Sequence, residues 1–217
     1  MHVDEVVTAM SAKAQLQASA ASSSASAESA ALEDRWRALH AESLATLRQV
    51  VSQPSSRSHG GGASLESAFL AALPAVALDG LREAEALARE EHGATVVQLY
   101  ELVAAHEALL EEMYAVLRQA RAEVAMLSPE SAADRGVHGL GLSPADRCAA
   151  LATVLRAYEA DLQMKQAAAR RVGDGGAPAA EMQALLVAWE LQPMLEPADA
   201  MRAGLEAQEA LELSRRV

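Results

Sequence analysis

The chain has 217 residues, 51% of them nominally hydrophobic, and a net charge of −12. That length accommodates one domain with or without appended tails, and the charge argues against a phosphate-binding surface, because Lys and Arg cluster only in short pairs such as Arg170-Arg171 and Arg215-Arg216. The single cysteine, Cys148, excludes an internal disulfide and a CxxC zinc site, and no apolar run is long enough to span a bilayer.

Alanine supplies much of the hydrophobic fraction. It favours helix and buries little surface, which points to long, closely packed helices in an elongated all-α bundle or coiled-coil hairpin. The first residues, with Asp4 and Glu5 early and no arginine before Arg35, fit neither a secretory signal nor an Arg-rich transit peptide, so a cytoplasmic or nuclear setting is expected.

Residues 1–32 form a low-complexity tail. From Ser11 to Ala30 the composition is almost wholly Ala, Ser, Gln and Lys without an apolar period, expected to be disordered or a frayed helix. An amphipathic helix follows over 33–52, with Trp36, Leu39, Leu44, Leu47 and Val51 along one side. A flexible linker over 53–64 includes Gly60-Gly61-Gly62, which lacks the strand and GK[ST] ending of a phosphate loop. The remainder, 65–217, reads as a helical coiled-coil or bundle domain, opening with a short helix from Leu65 to Leu73.

The main helix is expected from Asp79 to Leu127, weakened at Gly93. Val96, Leu99, Val103, His106, Leu110, Met113, Leu117, Ala120, Val124 and Leu127 alternate steps of three and four, the heptad pattern of a helix facing another helix. Leu102, Leu109 and Val116 widen the stripe, favouring at least two neighbours and leaving apolar surface for a helical partner, with Leu110 and Leu117 as the interface positions. After a glycine-bearing loop, Ser143-Pro144-Ala145-Asp146 reads as a capped helix start. Cys148, Leu151, Leu155, Tyr158, Leu162 and Val172 then share a face interrupted by Lys165. A helix from Ala180 to Leu191 carries Leu186 and Trp189 and stops at Gln192-Pro193, and a last helix is expected from Ala198 to Ser214.

No catalytic constellation emerges, so the chain reads as a non-enzyme without cofactor or metal. His106 has no second His or Cys at helical ligand spacing, and Val103 stands where an E-x-x-H di-iron motif needs an acid, which leaves a core or partner-facing histidine. Glu83, Glu85, Glu90 and Glu91 read as a solvated face and Cys148 as a small core residue. Tyr158 and Trp189 read as core anchors or partner contacts, and Lys165 as solvated, snorkelling or ion-paired with a partner.

The helix Tyr158-Glu159-Ala160-Asp161-Leu162-Gln163-Met164-Lys165 and the later run Leu186-Val187-Ala188-Trp189-Glu190-Leu191-Gln192-Pro193 read together as Y-x-x-[DE]-L-x-x-K, spacer, L-x-x-W-x-x-Q-P. This pair resembles the cyclin-dependent-kinase-interacting protein family (CINP), and Asp34-Arg35-Trp36-Arg37-Ala38-Leu39 looks like that family's tryptophan-bearing N-terminal helix. The resemblance implies an adaptor that pairs with a helical subunit in an AAA+ ATPase assembly for ribosome maturation and replisome turnover. It also implies a link to a cyclin-dependent kinase and a nuclear setting. The alternative class is a coiled-coil tether in a trafficking or cytoskeletal complex.

Overall fold

The computed structural model describes the backbone of residues 3–53, 74–127, 143–175, 177–196 and 198–204, with 207 and 214 as single positions. The fold is all-α. Helix α1 spans Val3–Ser52, α2 Ala75–Ala125, α3 Pro144–Gly173 and α4 Ala179–Leu191. Residues 198–204 are helical as well, and no strand occurs among the described residues. Most of the 53–64 linker, the 65–73 helix, the loop after Leu127 and most of the last expected helix lie outside the described residues.

Helix α1 is not confined to 33–52. It starts at Val3, because the Ala-rich run preceding Glu33 has high helix propensity even without an apolar face. Among the side chains described on α1, Leu32 is the first that is buried. Helix α2 likewise starts four residues before Asp79 and passes through Gly93 unbroken. The start of α3 is capped as its sequence predicts: the Asp146 amide donates to Ser143 Oγ at 3.1 Å, and the Ser143 amide donates to Asp146 Oδ2 at 3.4 Å.

The contacts resolve into two compact units, and α1, α2 and α3 each contribute to both. The first comprises Met1–Arg37, Glu107–Asp161 and Pro193–Val217. Its core is apolar and aromatic. Leu32, Leu109, Leu110, Met113, Val116, Leu117, Val154 and Leu155 are buried, and Trp36 meets Tyr158 edge-on with ring centroids 4.9 Å apart. Tyr114 donates to Glu159 at 3.0 Å across α2 and α3. The buried Glu33 carboxylate pairs with Arg202, which ties the C-terminal helical residues to α1.

The second unit comprises Ala38–His106 and Leu162–Gln192. Gln53 meets His92, while His40 lies near enough to His106 to feel its charge, so α1 and α2 run antiparallel here. Arg171 grips Glu181 at 2.5 and 2.8 Å and Lys165 lies against Trp189, which makes α3 and α4 antiparallel too. At the end of α3 a Cβ on Gly173 would collide with the Tyr100 hydroxyl, so this position is kept small by a close approach.

The heptad stripe is covered within the chain. Leu110 and Leu117 are 6% and 2% exposed and Leu102, Leu109 and Val116 are buried beside them, which corrects the expectation that this stripe is an assembly surface. Helices α1 and α3 supply the neighbours its width calls for.

Candidate functional site

Among the described residues the most polar interior lies in the second unit, and four helices supply it. Helix α1 contributes His40 and Ser43, α2 His106, α3 Lys165 and α4 Trp189; all but the half-buried His40 are 0% exposed. On α1 the buried row Trp36, Ser43, Leu47 and Val50, with half-buried His40, follows helical steps of four, three, four and three. Leu39, Leu44 and Val51, expected on the packed side, are only half-buried.

Trp189 organises this interior. Its indole Nε1 donates to Ser43 Oγ at 3.3 Å, and the Ser43 hydroxyl in turn donates to the His40 carbonyl at 3.0 Å. The Lys165 ammonium lies 5.7 Å from the centroid of the Trp189 ring, a cation–π distance. His106 Nδ1 is 2.8 Å from the Leu102 carbonyl, an arrangement in which Nδ1 carries the proton and donates. Burial, assisted by the charges of Lys165 and of the other histidine, pushes His40 down to about 4. His106 is likewise pushed down to about 4 by burial, against its bond to Leu102 and with Lys165 adding to the effect. Both imidazoles are therefore neutral at pH 7, and the Lys165 ammonium lies near them and against the Trp189 π-face.

This placement corrects two expectations. Lys165 is neither solvated nor snorkelling nor presented to another protein: it is 0% exposed, in a buried row that runs Leu155, Tyr158, Leu162, Lys165, Ala169, Val172 along α3 without interruption. Cys148 is half-buried rather than a core residue, and burial raises its thiol above the usual range. His106 is a core histidine bonded within the chain.

The other positions singled out in the sequence divide cleanly. Trp36, Tyr158 and Leu162 are buried, Leu186 is half-buried and Pro193 is exposed. Gln192 ends α4 in the left-handed region, φ 43°, a conformation that turns the chain before Pro193. His40 and Ser43 carry no expectation from sequence and Asp161 enters only as the acidic position of the tyrosine-lysine run, yet Ser43 and Asp161 are fully enclosed. The signal for the first two lies in the spacing from Trp36, since both fall on its face of α1.

Among the described residues no group of three or more His, Cys, Asp or Glu is placed to hold a metal ion, and no helix is long and apolar enough to cross a membrane. Comparison with protein-family models, with curated proteins and with solved structures gives no match.

Proposed function

We propose that this chain is a non-catalytic adaptor subunit of the CINP type. It pairs with a helical partner and holds an AAA+ ATPase to its substrates in ribosome maturation and replisome turnover, with a cyclin-dependent kinase as a further partner and the nucleus as its setting. ATP chemistry resides on the partner, and this chain supplies recognition. The observation that carries the reading is the meeting of Lys165 with Trp189. These residues belong to two separate sequence runs, and the resemblance rests on treating those runs as one signature. Their contact gives the pair a physical reason to occur together: the ring of one run lies against the ammonium of the other.

Coverage of the heptad stripe inside the chain counts against the tether alternative, which needs that stripe for a second strand. The test is affinity purification of the full chain at native abundance, followed by identification of stoichiometric partners. An AAA+ ATPase together with a small helical subunit is the expected outcome. Recovery of a membrane-tethering complex in their place, or of no stoichiometric partner, overturns the reading.

A further inference from the structure

Helix α2 begins with a section that the other described residues leave uncovered. Every described side chain from Val76 to Glu91 is exposed, His92 is half-buried against Gln53, and Thr95 is the first buried residue of the helix. Within this section Ala77, Gly80, Leu81, Ala84, Leu87 and Ala88 fall at i, i+3, i+4, i+7, i+10 and i+11, so they share one face. Leu81 is 43% and Leu87 56% exposed, and a Cβ built on Gly80 would meet nothing within 4 Å.

The charges are arranged around that face in a directional way. Helical geometry puts Glu83 and Glu90 along one edge and Glu85 along the other, whereas Arg82 and Arg89 fall on the far side. There Arg82 pairs with Asp79 at 3.2 Å, and Arg89 reaches Glu85 at 3.6 Å. An apolar stripe results that Glu91 closes at one end, with Glu83 and Glu90 along one edge and Glu85, paired with Arg89, along the other; Arg82 is turned away to Asp79. A second copy docking through the same face would bring Glu83 and Glu90 against their equivalents, which is unfavourable.

We propose that the face formed by Ala77, Gly80, Leu81, Ala84, Leu87 and Ala88 docks an amphipathic helix of a different protein whose apolar stripe is flanked by Lys or Arg. Gly80 is the point of closest approach. A glycine inside a helix is unfavourable unless something must come near it, and none of the described residues does. The inference deepens the adaptor reading and rests on it in that the chain needs a partner.

The test uses the full chain and two synthetic helices of about five turns, ~18 residues. Both carry the same Leu/Ala stripe, one flanked by Lys and the other by Glu. Fluorescence anisotropy should show the Lys-flanked helix binding at about 10–100 µM, as suits a small interface, more weakly as salt rises, with no binding of the Glu-flanked one. Leu81→Glu/Leu87→Glu should abolish binding although it makes the rim more acidic, and its thermal melt should match wild type. Gly80→Ala should raise the melt yet weaken binding several-fold. Equal binding of both helices, or undiminished binding to the double variant, overturns the proposal. So does a double variant that melts lower, which would show the face covered by the chain itself, and so does self-association through this face in sedimentation equilibrium. Because only defined peptides are used, failure here leaves the co-purification result standing.

Discussion

Each compact unit is centred on one of the chain's two tryptophans, and the two tryptophans are treated differently. In the first unit Trp36 meets the edge of Tyr158 among leucines, valines and a methionine, and of the buried carboxylates Glu33 and Asp161 the first pairs with Arg202. In the second, Trp189 faces a lysine and hydrogen-bonds a serine, with one histidine fully buried and another half-buried nearby. The first interior is stabilised chiefly by area removed from water. The second depends on each polar group meeting a partner of defined geometry, so it tolerates less change.

Truncation of the tryptophans is the harshest way to break that contrast. Trp36→Ala and Trp189→Ala should each lower stability by about 3–5 kcal/mol, since both rings are fully enclosed. The second loss should depend on what remains. Replacing Lys165 by Met as well should recover part of it, because Trp189→Ala alone leaves an ammonium without its π-face. No such recovery is expected when Tyr158→Leu is combined with Trp36→Ala. Denaturant melts of the four variants check this, and equal coupling in both pairs would erase the distinction.

Much of the first unit was legible in the sequence, and the reason is physical. Leu109, Leu110, Met113, Val116 and Leu117 announce themselves because burial of apolar residues at helical spacing is the common case. The Ser143–Asp146 cap is equally local: both partners lie within one turn. The second unit was harder to read. Lys165 looked like a break in a packed face because a lysine is almost never enclosed, and nothing near it in sequence says that Trp189 will cover it. Ser43 and His40 are hard to place from sequence for a related reason. Polar residues on a helix suggest solvent, and only their register with Trp36 marks them as inward-facing. On the exposed α2 face the glutamates point to a solvated surface, although its apolar residues are equally plain in the sequence.

A pH titration separates the units next. An unfolded histidine binds a proton as pH falls through 6.5, while folded His40 and His106 resist to about 4. Stability from the second unit is therefore complete above pH 6.5 and lost on acidification towards 4, by about 3 kcal/mol for His106 and less for the half-exposed His40. The first unit responds at the other end. Burial, with Asp199 adding to it, pushes the Tyr158 hydroxyl up to about 12. An unfolded tyrosine loses its proton from pH 10, so the stability present below pH 10 declines between 10 and 12. Since the chain has only two tryptophans, Trp36→Phe and Trp189→Phe leave one fluorophore in each unit. The Trp189 signal should change first in acid and the Trp36 signal first in alkali; coincident changes in both directions would show that the units share one proton linkage.

Ser43→Ala is a smaller perturbation aimed at the bond that seats Trp189. It leaves the indole N–H without its acceptor and costs about 1–3 kcal/mol, close to the price of an unmet buried donor. Ser43→Thr keeps the hydroxyl and should recover part of that. The apolar surroundings of Trp36 predict a different result for Leu32→Val, a graded loss that follows the volume removed. If Ser43→Ala is neutral in thermal and urea melts, the second interior is held by area after all.

The smallest effect is expected where the units are alike. Each has a two-pronged arginine–glutamate pair on its surface, Arg35 with Glu112 at 2.5 and 3.1 Å and Arg171 with Glu181 at 2.5 and 2.8 Å. In both pairs the arginine lies above its usual pKa range and the carboxylate below, and the hydrogen bond between the partners is the main cause. Both also lie in water, where screening removes most of the attraction and the side chains give up entropy to hold one geometry. Arg35→Met and Arg171→Met should therefore shift the melt by equal amounts near the limit of detection, and salt should remove the difference from wild type. A larger loss from Arg171→Met would have a specific meaning: the tie between α3 and α4 would be helping to keep Trp189 over Lys165, and the polar interior would depend on its rim as well as on its own contacts.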